Sequence, residues 1–472
     1  MLASNRRSLV TPTLVLALLS LAGAHAPAHA ERAYVAGSDF GSGELSGIDV
    51  PTRVPACDVA PLSGDPRIRA FDGKIYVVNR GGPSNIQVHD GTTYGFVRQF
   101  SVGAGSNPYD IAFASATHAY VTRYESADLW VVNPATGTHT GTISLAAFAD
   151  ADGIPEMDHL QCVGPLLFVS LQRLDRNHSY ALTAYSSVAV IDMRTDTVVD
   201  CDPVAPGVQP IVLARKNPVT AFAFDVPRSR LYLGCAGNYG VADGAIEAID
   251  AAGLTALGVV APEDSLGGDV LDLAWRDDAR AFAIVSDAGF NSALVRWSPV
   301  RGRAEQTLYA PGGFTLSDAE VTPDGTQVWV GHSDFADPGV LVFDAGSGAA
   351  VGAPILCTLP PQGLAFDAGE VVAVGLNPPP RGLALAPPSP NPARAPVRLT
   401  FAAPGGGAIK IEVLDVTGRR VWEQRASAAT AGEQTLVWDL FDASGARVPP
   451  GLYRVRARSA GASTSRSLIV LP

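Results

Sequence analysis

Three aspartates, Asp110, Asp272 and Asp318, stand at matching points of an internal repeat, in segments such as Asn107-Pro-Tyr-Asp110 and Asp269-Val-Leu-Asp272. If the repeats surround a common axis, three carboxylates face one channel and repel one another unless something positive sits among them. Ca²⁺ is the natural candidate, because hard oxygen ligands suit it. The other repeats hold Ile68, Met157, Thr220 and Gly363 at this point. The competing reading is local: each Asp accepts hydrogen bonds from nearby loop N–H groups, as turn aspartates do. The densest acidic run is Asp150-Ala-Asp152-Gly153, followed by Glu156, Asp158 and His159. It starts like a calcium loop, but its Gly comes at the fourth position and no Glu follows at the twelfth, so it fails as an EF-hand. Asp150 and Asp152 remain candidates for a generic cation site. A mixed cluster, Arg173, Asp175, Arg176 and His178, lies in the longest loop, between Gln172 and Ser187. Insertions confined to one face of a repeat array mark a binding face, and these four residues are assigned to it.

Motifs for catalysis are missing from the sequence. His89, His118, His139, His159, His178 and His332 show no HxxxH or HxH spacing for zinc. There is no Gly-x-Ser-x-Gly elbow, and Gly103-Ala-Gly105 precedes no helical pattern that would cradle a phosphate. No catalytic residue and no cofactor beyond a Ca²⁺ ion is assigned. A metal-dependent hydrolase or lactonase at the channel mouth, built on Asp110, Asp272, Asp318 and His159, is the alternative to a binding role.

The elements that carry these residues follow from the repeat. Tyr34-Val-Ala-Gly, Tyr76-Val-Val-Asn, Tyr120-Val-Thr, Phe168-Val-Ser, Tyr232-Leu-Gly, Ile284-Val-Ser, Trp329-Val-Gly and Val372-Ala-Val-Gly recur at intervals of 42 to 64 residues. Periods near 40 to 50 residues, each holding several short strands, are the mark of a β-propeller. Each unit reads as an inner strand a, the aromatic-Val strand b, an alternating strand c such as Val188-Ala-Val-Ile-Asp192, and a strand d after a Gly or Thr turn. Six units fit between about Asp65 and Pro360. The two ends, Ala33 to Leu62 and Pro361 to Gly375, combine into a seventh blade that closes the ring and removes its open edges. Both Tyr34 and Val372 could supply its strand b. These residues resemble the YVTN-type, quinoprotein-dehydrogenase-like propellers, a resemblance that implies a fold and no particular activity. In such propellers the b–c and d–a loops surround the channel mouth, where ligands bind.

Composition agrees with an exported all-β protein. The chain has 472 residues, 48 Gly, 36 Pro, 47% hydrophobic residues and a net charge of -12. That acidity argues against nucleic acid and anionic membrane as partners. Arg6 and Arg7, the apolar run Leu14 to Leu21 and Ala28-His29-Ala30 form a secretory leader over residues 1–30, with the mature chain starting near Glu31. No segment reads as a membrane span. Cys57, Cys162, Cys201, Cys235 and Cys357 show no paired spacing and read as buried apolar thiols outside any disulfide framework.

The propeller is assigned to 31–376, and a Pro-rich linker to 377–392. Residues 393–472 alternate as short strands separated by Gly turns and read as a β-sandwich. Asn391-Pro392, Asp415-Val-Thr-Gly418 and Trp438-Asp439 through Gly451-Leu-Tyr453 resemble the Ig-like domain of flagellar hook-capping (FlgD) proteins and the C-terminal sorting domains of type IX secretion. The resemblance implies a tethering, spacing or sorting module. The fold expected is thus all-β: a seven-bladed propeller plus an Ig-like sandwich. The function expected is a monomeric binding scaffold that is secreted, periplasmic or on the cell surface, facing an extracellular protein or polymer.

Overall fold

A computed structural model describes residues 32–367 and most of 384–471. Residues 1–30, expected to form a leader, the Val372 strand candidate and residues 377–383, expected to belong to a linker, lie outside the described residues. Seven antiparallel sheets of mostly four strands form the blades of the propeller. Blade 1 joins the two ends of the array: its inner strand is Pro361–Phe366, followed by Arg32–Ser38, Gly43–Asp49 and Pro55–Leu62. Tyr34 therefore lies in the strand b of the closing blade. Its neighbours pair Tyr34 with Ala365 on one side and with Gly47 on the other.

Blades 2 to 7 begin with inner strands Pro66–Phe71, Pro108–Ser115, Met157–Val163, Ala223–Asp225, Asp269–Trp275 and Leu316–Val321. Their second strands carry Tyr76, Tyr120, Phe168, Tyr232, Ile284 and Trp329, and all of these side chains are buried. Burial explains the repeat: a blade has two apolar faces, and each is covered only by its neighbour. Seven hydrophobic clusters result, one between each adjacent pair of blades. Two of the tyrosines add a polar tie across that seam. Tyr34 donates its hydroxyl to the Gly91 carbonyl in blade 2 at 3.0 Å, and Tyr120 donates to the Asp196 carboxylate in blade 4 at 2.5 Å.

The C-terminal unit is a sandwich of a three-stranded and a four-stranded sheet. Strand Ala384–Leu385 pairs with Val397–Ala403, so part of the segment read as linker joins the sandwich. Arg420–Ala428 completes the second sheet. Trp438, Phe401, Ile411 and Val455 fill the core, and Tyr453 donates its hydroxyl back to the Pro449 carbonyl at 2.6 Å. The five cysteines are thiols outside any disulfide. Cys235 and Cys357 are buried as expected, whereas Cys57 is exposed on the outer strand of blade 1.

Candidate functional site: the waist and mouth of the channel

The residues aimed into the channel owe their direction to β-bulges. The a–b pairing slips between Pro108 and Ile111, Met157 and Leu160, Val270 and Asp272, and Leu316 and Ala319. A bulge leaves a residue unpaired and turns its side chain out of the regular alternation. Asp110, Asp272 and Asp318 sit at three of these irregularities. The fourth presents His159. Thr122 Oγ1 accepts from the Asp110 N–H and Ser170 Oγ accepts from the His159 N–H in the same way. The position matching Asp110 in blade 4 is thus His159, and the alignment on Met157 is corrected. The slip between Met157 and Leu160 is invisible to a gapless comparison of strands.

Each aspartate spans a blade boundary. Asp110 accepts from the Leu160 N–H at 2.9 Å, Asp272 from Ala319 at 2.7 Å and Asp318 from Leu364 at 2.5 Å. The local reading is the one these bonds fit, with the acceptor reaching the neighbouring blade instead of its own loop. Something positive does sit among the carboxylates, and it is a guanidinium. Arg69 Nε and Nη2 each donate to one Asp110 oxygen at 2.8 Å. Against the penalty of burial, that bidentate pair holds the Asp110 carboxyl well below the usual range. Asp110 also accepts from its neighbour Ile111, so both oxygens are engaged.

Asp272, Asp318 and Glu320 form the opposite wall of this waist, a constriction of about 30 Å³. Burial and the adjacent Asp318 push Asp272 well above the ordinary carboxylate range and Glu320 up to about 8. Asp158 and His159 are buried beside them, with His159 Nδ1 3.7 Å from Asp110 and its Nε2 3.6 Å from Asp158. Among the described residues, no group of three or more His, Cys, Asp or Glu side chains is arranged to hold a metal ion. Asp110 is paired with Arg69, and Asp272 and Asp318 each accept from a backbone N–H of the next blade.

Asp150 and Asp152 organise their own loop. Asp150 accepts from the Asp152 N–H, and Asp152 accepts from the Ile154 and Arg176 N–H groups at 2.9 Å. Arg173 and Arg176, assigned to the binding face, turn inward and anchor the long insertion of blade 4. Arg173 is buried, donates to the Phe148, Ala149 and Tyr185 carbonyls, and stacks on the Tyr185 ring at 3.8 Å. Arg176 pairs with Glu156 at 2.6 Å and also with Glu125. Asp175 caps the short turn Arg176–His178 and accepts from His178 Nδ1 at 2.6 Å, which leaves His178 as the exposed member of the four.

Above the waist the channel opens into a cavity of about 870 Å³, on the face formed by the b–c and d–a loops. Its floor holds Arg67, Arg80 and Tyr109, and its walls hold Tyr124, Gln172, Asn217 and Asn238. Arg67 and Arg80 lie against the Tyr109 ring, at 5.4 and 4.5 Å from its centre. The rim is aromatic. Phe40, Tyr124, Tyr180, Tyr239, Phe290 and Phe335 place one aromatic side chain in six of the seven b–c loops. Phe314 adds another from a d–a loop, and Phe40, Phe314 and Phe335 are each more than 60% exposed. This ring escaped the sequence reading. Its signal was present: each of those loops begins just after a recurring strand b, and a buried-core argument does not account for an aromatic there.

The fold and this cavity define the class: an all-β protein with a propeller whose mouth is concave, mixed in polarity and rimmed by aromatic side chains, followed by an Ig-like domain. The FlgD Ig-like domain family matches residues 393–463. No curated protein matches the chain. Among solved structures, the hydrazine synthase of Kuenenia stuttgartiensis is similar at 13% identity, covering 69% of this chain and 99% of that chain with a TM-score of 0.46. A likeness of that size transfers no activity.

Proposed function

We propose that this protein is an exported binding scaffold, of the YVTN-like propeller kind, that engages its partner through the channel mouth. The FlgD-type module then serves to tether, space or sort it. The observation that carries the reading is the concentration of exposed aromatic side chains around one concave surface. Aromatic and Arg side chains of this kind dominate interface energetics, while scattered single apolar residues do not. A binding role also accords with the waist, where Asp110 spends both oxygens on Arg69 and backbone N–H groups. The module at 393–463 supports an extracellular setting, since the family is named for an Ig-like domain of this type. No helix among the described residues is long and apolar enough to cross a membrane.

Two outcomes are expected. N-terminal sequencing of the protein recovered from culture fluid or cell envelope should read from near Glu31; a retained leader in the cytoplasm would overturn export. A photo-crosslinking amino acid at Phe335 should capture a discrete envelope or matrix component. The same probe at Val300, exposed in the c–d turn on the opposite face, should capture none. Equal capture from both faces would remove the mouth as the binding surface.

A further inference from the structure

We propose that the mouth accepts a segment of a partner protein in which an apolar or aromatic side chain stands beside an acidic one. This rests on the binding reading above and adds the chemistry of the occupant. Two adjoining compartments carry it. The first is an apolar slot of about 430 Å³ between Tyr239, Leu271, Phe290 and Phe314, which shares Tyr239, Leu271 and Phe314 with the main cavity. Aromatic rings on opposite sides of a slot this size receive a side chain of the Phe, Leu or Met class by burying its apolar surface. The slot also contains Asp269, whose carboxylate accepts from the Gly240 N–H at 2.6 Å.

The second compartment is the floor of the main cavity. Arg67 and Arg80 are the only charged side chains among the described residues that line it. In a chain of net charge -12, two guanidiniums at the base of this cavity are a local reversal of sign. Arg80 is partly neutralised by Asp65, on which it donates from Nε at 3.2 Å. Arg67 is not. Its Nη2 donates to the Tyr109 hydroxyl at 3.3 Å, while its buried Nε has no partner. Asp158 lies within the field of Arg67 but is wholly buried beneath Gln172, which donates to it at 2.9 Å. Asp318 also lies within the field of Arg67, but neither aspartate hydrogen-bonds it, so a carboxylate entering from the mouth can reach its guanidinium. Guanidinium and carboxylate then form the forked, charge-assisted pair that Arg geometry favours.

A glycan is the competing occupant, since its hydroxyls would suit the Asn217, Asn238 and Gln172 amides. The slot argues against it. Walls of Leu, Phe and Tyr with few polar atoms leave sugar hydroxyls unpaired, which costs more than the stacking returns. A protein segment fills both compartments without that loss.

The test uses the mature full-length protein, immobilised and panned with a random dodecapeptide display library. Enriched peptides should place Phe, Leu, Met, Tyr or Trp within about three residues of Asp or Glu. Synthetic copies should weaken at least tenfold against Phe314→Ala and against Arg67→Gln, and at least tenfold on Asp→Asn or Glu→Gln exchange within the peptide. Melting curves and the Val300→Ala variant, which alters only an exposed side chain on the opposite face, separate lost binding from lost folding. Enrichment of apolar peptides indifferent to the acid and to Arg67 would overturn the proposal. So would an absence of enrichment, or binding of polysaccharides to the same face with loss in Phe314→Ala. In the last case the mouth would remain a binding surface, and only the class of occupant would change.

Discussion

Replacing Arg69 with Met is expected to lower the stability of the propeller by about 3–5 kcal/mol, the cost of removing one partner from a buried ion pair. The reason lies in what remains. Asp110 is 3% exposed and keeps its hydrogen bonds from the Ile111 and Leu160 N–H groups, yet loses the only cation in contact with both its oxygens. It must then stay charged in a poorly solvated site or take up a proton. Glu320 and Asp318 across the waist lose the same countercharge. Methionine keeps most of the Arg69 stem volume, so packing is a minor part of the loss. Urea unfolding read by the thiol reactivity of buried Cys235 and Cys357 reports on the propeller and not on the sandwich. Adding Asp110→Asn to Arg69→Met should restore a substantial part of the loss, because the orphaned charge is gone. A single variant within about 0.5 kcal/mol of the parent, the size of an ordinary surface change, would show that Asp110 is balanced by something else.

Glu320→Gln should abolish much of a pH dependence that the parent protein displays between about pH 4.5 and 8. Burial and the neighbouring Asp318 raise the Glu320 carboxyl from 4.5 to about 8 in the folded protein. The folded state therefore binds a proton that the unfolded chain has released. Its contribution is complete below the unfolded value near 4.5 and is lost as pH rises through about 8. A shift of that size corresponds to up to about 5 kcal/mol. Asp272 moves in the same direction. Asp110 runs the other way: its lowered value adds stability above the usual Asp range, lost only in stronger acid. The parent should thus melt highest in mild acid and lose stability toward pH 8. In Glu320→Gln the neutral amide mimics the protonated acid at every pH, so the alkaline loss shrinks and the variant is the more stable at pH 8. Melting temperatures measured from pH 4.5 to 8.5 decide it. Parallel curves for parent and variant would mean that Glu320 is ionised and solvated in the channel.

Much of the architecture was written in local pattern. The aromatic-Val runs led directly to seven second strands, because each such strand is buried on both faces and the chain must repeat that solution in every blade. Closure of the ring from both ends followed from the same count. The Trp438 to Tyr453 hairpin marked the Ig-like domain, which the family match over 393–463 bears out. Short-range chemistry was legible because its partners are close in sequence. Asp175 capping its turn is an example.

The site was not legible in the same way. Asp110 is 41 residues from Arg69 and 50 from Leu160, and only the packing of adjacent blades makes them neighbours. The bulge that puts His159 where Met157 was expected is a register slip, which changes the facing of side chains without changing the pattern of residue types. Arg173 and Arg176 read as binding-face residues because the sequence gives donors without showing the carbonyls of Phe148 and Tyr185, or Glu156, that receive them. The chain alone determined which residues are strands and how many blades they make, since periodic burial is a one-dimensional property. Which charges meet in the channel, and which aromatic side chains gather at its mouth, was decided only when seven blades closed around one axis.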